Sequence, residues 1–182
     1  MNSTLNQLRD ELAIQNQRGV TFILAAAVYW ASIGFAGMLL PPKTAFTWSL
    51  WGTGVLFPLS ILFARFMRVN IFFKNDLSAL GIWANVFQLF FFPVFFISAK
   101  SNIAYPPIFM GVLAGAHFVF YHWIYRSRTY LLLAFTVATS SYVLGFLFIA
   151  DSYRILGLTN ATWFILGAAL LFREHRIQVS NS

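Results

Sequence analysis

The sequence predicts an all-α, polytopic membrane protein. The expected fold is a bundle of six transmembrane helices with both termini cytoplasmic and a short amphipathic helix ahead of the first span. Three observations carry this. Six long apolar blocks divide the chain. Only 9% of its 182 residues are charged, where a soluble domain carries roughly 25%. Lys and Arg alternate between dense and sparse in successive gaps between the blocks.

Each block is long enough to cross a bilayer. Hydrocarbon about 30 Å thick needs about 20 apolar residues at about 1.5 Å each. Without water, the backbone must bond within its own segment, and the blocks lack the polar–apolar alternation of barrel strands. The mean hydropathy of +0.72 fits lipid as the solvent.

The elements follow in order. Leu5, Leu8 and Leu12 recur at helical spacing, with Thr4 and Gln7 spaced as a capping box. They predict a short helix on the cytoplasmic membrane surface; the alternative is a docking helix for a partner. Asp10, Glu11 and several amides exclude a secretory signal here. The predicted spans are 19–40, 45–67, 78–99, 107–125, 129–150 and 155–172. Pro41 and Pro42 stop the first, because proline has no N–H and restricts the residue before it. Charged or polar turns at 68–76, 100–106, 126–128 and 151–154 separate the others. Residues 174–182 are expected to fray. Residues 1–182 therefore make a single integral membrane domain.

Orientation comes from the cations. Arg9, Arg18, Arg65, Arg68, Lys74, Arg126, Arg128, Arg173 and Arg176 fall on one side, and Lys43, Lys100 and Arg154 on the other. This positive-inside bias puts both termini in the cytoplasm. The net charge of +7 then reflects topology and anionic headgroups, and no nucleic-acid partner is expected. With no cysteine, disulfides and thiolate metal sites are excluded.

No Asp, Glu, Lys or Arg lies deep in a predicted span. That argues against ion-coupled transport, paired-acid hydrolysis and a carboxylate metal site. The polar residues at depth are Asn85 and Gln88 on span 3, and His117, Tyr121 and His122 on span 4. Spans 3 and 4 form an antiparallel hairpin about a turn near residue 103. Equal rise then sets Gln88 level with His117 or Phe118, and Asn85 level with Tyr121. Asn85 and Gln88 share a face at i,i+3, as do His117 and Tyr121 at i,i+4. The four define a candidate ligand-binding seam. The plainer alternative is helix–helix hydrogen bonding. His117 and His122 point about 140° apart and cannot ligate one haem iron from one face. No cofactor, metal or catalytic residue is assigned.

Gly111 with Gly115, and Ala27 with Ala31, give spans 4 and 1 small faces for close helix packing. Trp30, Trp48, Trp51, Trp83 and Trp123 are expected at the membrane interfaces; a substrate cage of Trp and Tyr is the alternative. Phe57-Pro58 and Phe92-Pro93 mark kinks inside spans 2 and 3, with an inverted repeat as the alternative.

Several stretches carry a resemblance. They are Asn16-Gln-Arg-Gly-Val-Thr-Phe-Ile23, Phe57-Pro-Leu-Ser-Ile61, Asn85-Val-Phe-Gln88 with Phe92-Pro93, and Gly115-Ala-His-Phe-Val-Phe-Tyr-His-Trp-Ile-Tyr125. From about Leu8 to Phe148 the chain resembles a family of small bacterial multi-pass membrane proteins of unknown function, seen for instance in bacilli. The resemblance implies a bacterial cytoplasmic membrane and no particular chemistry. The family admits glycine at the position of His122, so no role for that residue follows from it.

Three functions remain open on the sequence. The first is binding or transport of a small molecule, by outline analogy with the substrate-binding subunits of vitamin uptake systems, where Ala27 and Ala31 would dock a partner. The second is a structural or regulatory subunit packed against partner membrane proteins or a second copy. The third is a membrane enzyme on a lipid-like substrate, with His117 as acid or base and Gln88 orienting it.

Overall fold

The computed structural model describes residues 2–180, and these form helices with no strand among them. Six of the helical segments are long and apolar enough to cross a membrane: Gln17–Leu39, Pro42–Met67, Ser78–Ser101, Pro106–Tyr125, Arg128–Leu147 and Ile149–Ser180. They are spans 1 to 6. The chain is a multi-pass membrane protein.

Helix α1 (Asn2–Gln15) precedes span 1, which is α2 (Val20–Leu39). α1 already runs at Asn2, so Thr4 is inside the helix rather than its cap. Its apolar face does not lie on lipid. Leu12 and Ala13 are buried in the bundle, with Leu5 and Leu8 packed against the same core. Between α1 and α2 the chain turns sharply through three left-handed residues, Gln17 (φ 46°), Arg18 (φ 54°) and Gly19 (φ 72°).

Prolines shape the next two spans. Span 2 is α3 (Pro42–Gly52) and α4 (Leu56–Met67), joined by a tight turn at Thr53–Val55. Pro58 gives the Gly54 carbonyl no donor, and the helix tightens just before it. Span 3 is α5 (Ser78–Leu89) and α6 (Phe92–Ser101), broken ahead of Pro93. Span 4 is α7 (Pro106–Ala116) and α8 (Phe118–Tyr125), parted at His117. Spans 5 and 6 are α9 (Arg128–Leu147) and α10 (Ser152–Ser180). α10 continues well past residue 172, so the tail does not fray as far as Ser180; Asn181 and Ser182 lie outside the described residues.

Four spans make the core. α10 packs along α2, and also against α9 and α7, while α7 and α8 pack on α9. Glycines bring these backbones together. A Cβ on Gly157 would collide with the Gly34 backbone, and one on Gly37 with the backbone at Tyr153 and Arg154. Gly111 and Gly115 face span 5, at Ser141 and at Ala134 and Ala138. Ala27 is 5% exposed within the core, so in this fold it is not free to dock a partner; Ala31 is partly buried beside it. Trp30, expected at an interface, is 3% exposed and meets Tyr29 edge to face. Trp48, Trp51, Trp83 and Trp123 are exposed.

Spans 2 and 3 form an outlying arm. In their most apolar stretches 44% of spans 1 and 6 is buried, against 17% of span 2 and 11% of span 3. Ala84 is the buried residue of α5.

Candidate functional site

The candidate seam lies where α5 meets α8. Asn85 donates from Nδ2 to the Tyr121 hydroxyl at 2.6 Å and to the Gly81 carbonyl at 3.0 Å. The Tyr121 hydroxyl in turn donates to Gly81 O at 3.0 Å. The approach does not depend on glycine, since a Cβ at Gly81 would meet Tyr121 at an ordinary 3.8 Å. The structure therefore brings Asn85 and Tyr121 together, one turn apart from Gly81, at the level their numbering requires.

It does not join Gln88 to His117. Gln88 is half-buried and its side chain forms no hydrogen bond within the described residues, and Asn85 Oδ1 accepts none. His117 sits at the break in span 4, 9% exposed. Its Nδ1 is buried beside the Leu113 and Ala114 carbonyls of the preceding turn without a well-formed hydrogen bond. Its ring packs on Phe118 at 4.3 Å between centroids and edge-on to Tyr121 at 5.7 Å. His122, also singled out by the sequence, is occupied elsewhere: its Nδ1 bonds the Ser127 carbonyl at 2.7 Å and closes the turn after span 4.

Below Tyr121 an aromatic column continues to the side carrying both termini. Tyr121, Tyr125 and Tyr130 stack mutually, with centroids 5.5–6.0 Å apart. The column ends on a buried knot around Arg18. Its Nη1 donates to Tyr125 O and its Nη2 to Gln178 Oε1, each at 2.7 Å, and Glu174 is 3.6 Å away. Tyr130 donates to the Arg18 carbonyl at 2.6 Å, and Asn16 to the Tyr125 hydroxyl at 3.1 Å. Glu174 Oε1 also accepts from the Thr129 backbone and hydroxyl. The sequence reading missed this knot. Its parts come from the turn after α1 and from α8, α9 and α10, and only the left-handed turn at Gln17 to Gly19 folds Arg18 inward.

A second polar contact also went unpredicted. Ser141 and Asn160, both fully buried, exchange hydrogen bonds at 3.0 and 3.2 Å between spans 5 and 6, with Gly111 packed over them. Such mutual bonds are how polar groups join membrane helices.

Six apolar helices packed as a bundle define the class, a multi-pass membrane protein. The chain belongs to DUF7010, a family of unknown function, whose model matches residues 5–174. No curated protein and no solved structure matches it.

Proposed function

We propose that this chain binds, and through binding transports, a small neutral molecule in the bacterial cytoplasmic membrane, with both termini cytoplasmic. The ligand meets the seam of Asn85, Gln88, His117 and Tyr121. The observation that carries this reading is unspent hydrogen-bonding capacity inside the hydrocarbon. The Gln88 side-chain amide has no partner among the described residues, and His117 Nδ1, beside the Leu113 and Ala114 carbonyls of its own helix, makes no well-formed hydrogen bond. Leaving a buried polar group unpaired costs about 1–3 kcal/mol. Contrast Ser141 and Asn160, which hydrogen-bond each other. The seam offers amide, phenol and imidazole and no formal charge, so it favours a neutral ligand that forms hydrogen bonds.

A thermal-shift series tests this on purified protein with three probes: a prenyl alcohol, a fatty-acid amide and a prenyl quinone. At least one is expected to raise the Tm, and Gln88→Leu is expected to abolish that rise. No rise with any of the three overturns the reading. So does a rise that survives both Gln88→Leu and His117→Phe.

A second reading is a structural or regulatory subunit packed on a partner membrane protein or a second copy. Span 3 favours it, through the exposed Ile82, Trp83, Leu89 and Phe90. Lipid covers such a face as readily as protein does. A stable heteromer or homodimer recovered in mild detergent would select this reading instead.

A further inference from the structure

We propose that α1 is a strap that sets the position of the inner halves of spans 2 and 3 relative to the core. Here the inner side is the one carrying both termini.

The arm is fastened differently at its two ends. On the outer side, Tyr29 donates to Ser49 O at 2.5 Å and Trp48 Nε1 to Ser32 Oγ at 3.2 Å. Just beyond span 3, Ser152 donates to Ala104 O and Tyr153 to Ile103 O, at 2.7 and 2.8 Å. Phe46 and Phe96 also meet there edge to face, tying spans 2 and 3 together. On the inner side α4 lies on α2 and α5 on α8, and α4 and α5 make no substantial contact with each other. The proline breaks at Pro58 and Pro93 separate the pinned outer halves from these inner halves. A proline break is where a membrane helix bends.

α4 and α5 pack on α2 and α8, and the turn that joins them is held by α1. Asn75, in the turn between α4 and α5, donates from Nδ2 to the Leu8 carbonyl at 2.8 Å. The same amide reaches Glu11 at 3.4 Å, and its Oδ1 accepts from Leu77 N at 3.0 Å, which fixes the turn. The other bonds from the inner half to the core are those of Asn85, Tyr121 and Gly81.

α1 is seated in turn on the core. The Arg9 guanidinium lies 3.8 Å over the Trp123 ring. Asp10 accepts from Gln178 at 3.3 Å and faces Arg126 at 3.9 Å. Leu12 and Ala13 fill the space beneath α8 and α10. The turn that brings α1 back under the bundle runs through two non-glycine residues with left-handed backbone, Gln17 and Arg18. Asn16 Oδ1, Gln17 Oε1, Arg18 Nε and Ser127 Oγ are all buried there without partners. Strain and unpaired polar atoms concentrate at this junction, as at elements that exchange between two arrangements.

The chain has no cysteine, so spin labels can be placed by single substitutions. One pair reports the arm against the core, Phe66→Cys on α4 with Ile165→Cys on α10, all exposed positions. A second reports the core alone, Phe135→Cys with Ile165→Cys. A label at the exposed Gln7 reports α1 itself. In lipid nanodiscs, Leu12→Glu is expected to free α1 and to shift and broaden the arm distance by several ångström. The core distance stays fixed. Asn75→Ala should give a smaller change of the same kind with α1 still seated. A freed α1 with an unmoved arm overturns the proposal. So does a core distance that broadens together with the arm, since α1 would then hold the whole bundle. An α1 still seated in Leu12→Glu overturns it as well, because its apolar seat would not be what holds it.

Discussion

The core and the arm solve the same problem in opposite ways. In the core, spans 1, 4, 5 and 6 approach closely enough that glycine is required, and Ser141 and Asn160 hydrogen-bond each other, although Thr21, His117 and Trp163 each keep a buried polar atom without a partner. In the arm, spans 2 and 3 are broken by prolines, bury little, and carry amides that the fold does not fully use. Lipid tails are as apolar as leucine, so membrane helices hold together by close packing and hydrogen bonds rather than by hydrophobic burial. By that standard the core is held more closely than the arm. Gln88 lies on the loosely packed span 3 and His117 on a core span, and no hydrogen bond joins them.

The largest test of this contrast is steric. Gly157→Val in the core should cost about 3 kcal/mol or more, because its added atoms meet the Gly34 backbone, which cannot step aside. Gly54→Ala in the arm meets nothing within 4 Å and should leave the Tm almost unchanged. Equal effects at the two sites would erase the distinction between core and arm. Thermal unfolding in one detergent measures both.

Arg18 should come next. Its guanidinium holds the Tyr125 carbonyl and Gln178 with two separate nitrogens, beside Glu174. Hydrogen bonds to a charged group contribute about 1.5–3 kcal/mol each. Arg18→Ala should therefore lower stability by about 3 kcal/mol, while Lys, a single point of charge, recovers only part of it. Because α1 leaves the bundle from this knot, the loss should appear first as raised hydrogen exchange in α1 and in the turn holding Asn75.

Much of this was readable beforehand. Span number and approximate ends follow from apolar length and proline, which are one-dimensional signals. Equal rise along antiparallel helices also placed Asn85 opposite Tyr121. The same argument, applied about the turn between spans 5 and 6, would have paired Ser141 with Asn160, which are nearly equidistant from it. That pair was overlooked because a serine and a lone asparagine look modest among apolar neighbours. The Arg18 knot was not readable in this way. Its partners lie more than 100 positions away, and a left-handed backbone at Arg18 has no marker beyond the neighbouring Gly19. The seat of α1 was also ambiguous, since a leucine face suits a membrane surface and a protein groove equally. The choice between them rests on Asp10, Arg9 and Asn75, each with a partner fixed only by the fold.

The smallest effects discriminate most finely, and they concern three amides, Asn160 buried in the core and Asn85 and Gln88 on the arm. Asn160→Leu strips Ser141 of both its bonds in the core and should cost about 1 kcal/mol, the usual scale for one polar contact between membrane helices. Asn85→Leu should cost less, since Tyr121 keeps its bond to the Gly81 carbonyl when Asn85 is gone. Gln88→Leu should cost nothing and could raise the Tm slightly, because it removes an amide without a partner from the hydrocarbon. The ordering Asn160, then Asn85, then Gln88 in ligand-free protein is the sharpest form of the comparison. A large loss from Gln88→Leu would mean that this amide is already satisfied inside the fold, and the seam would then be glue of the same kind as Ser141 and Asn160.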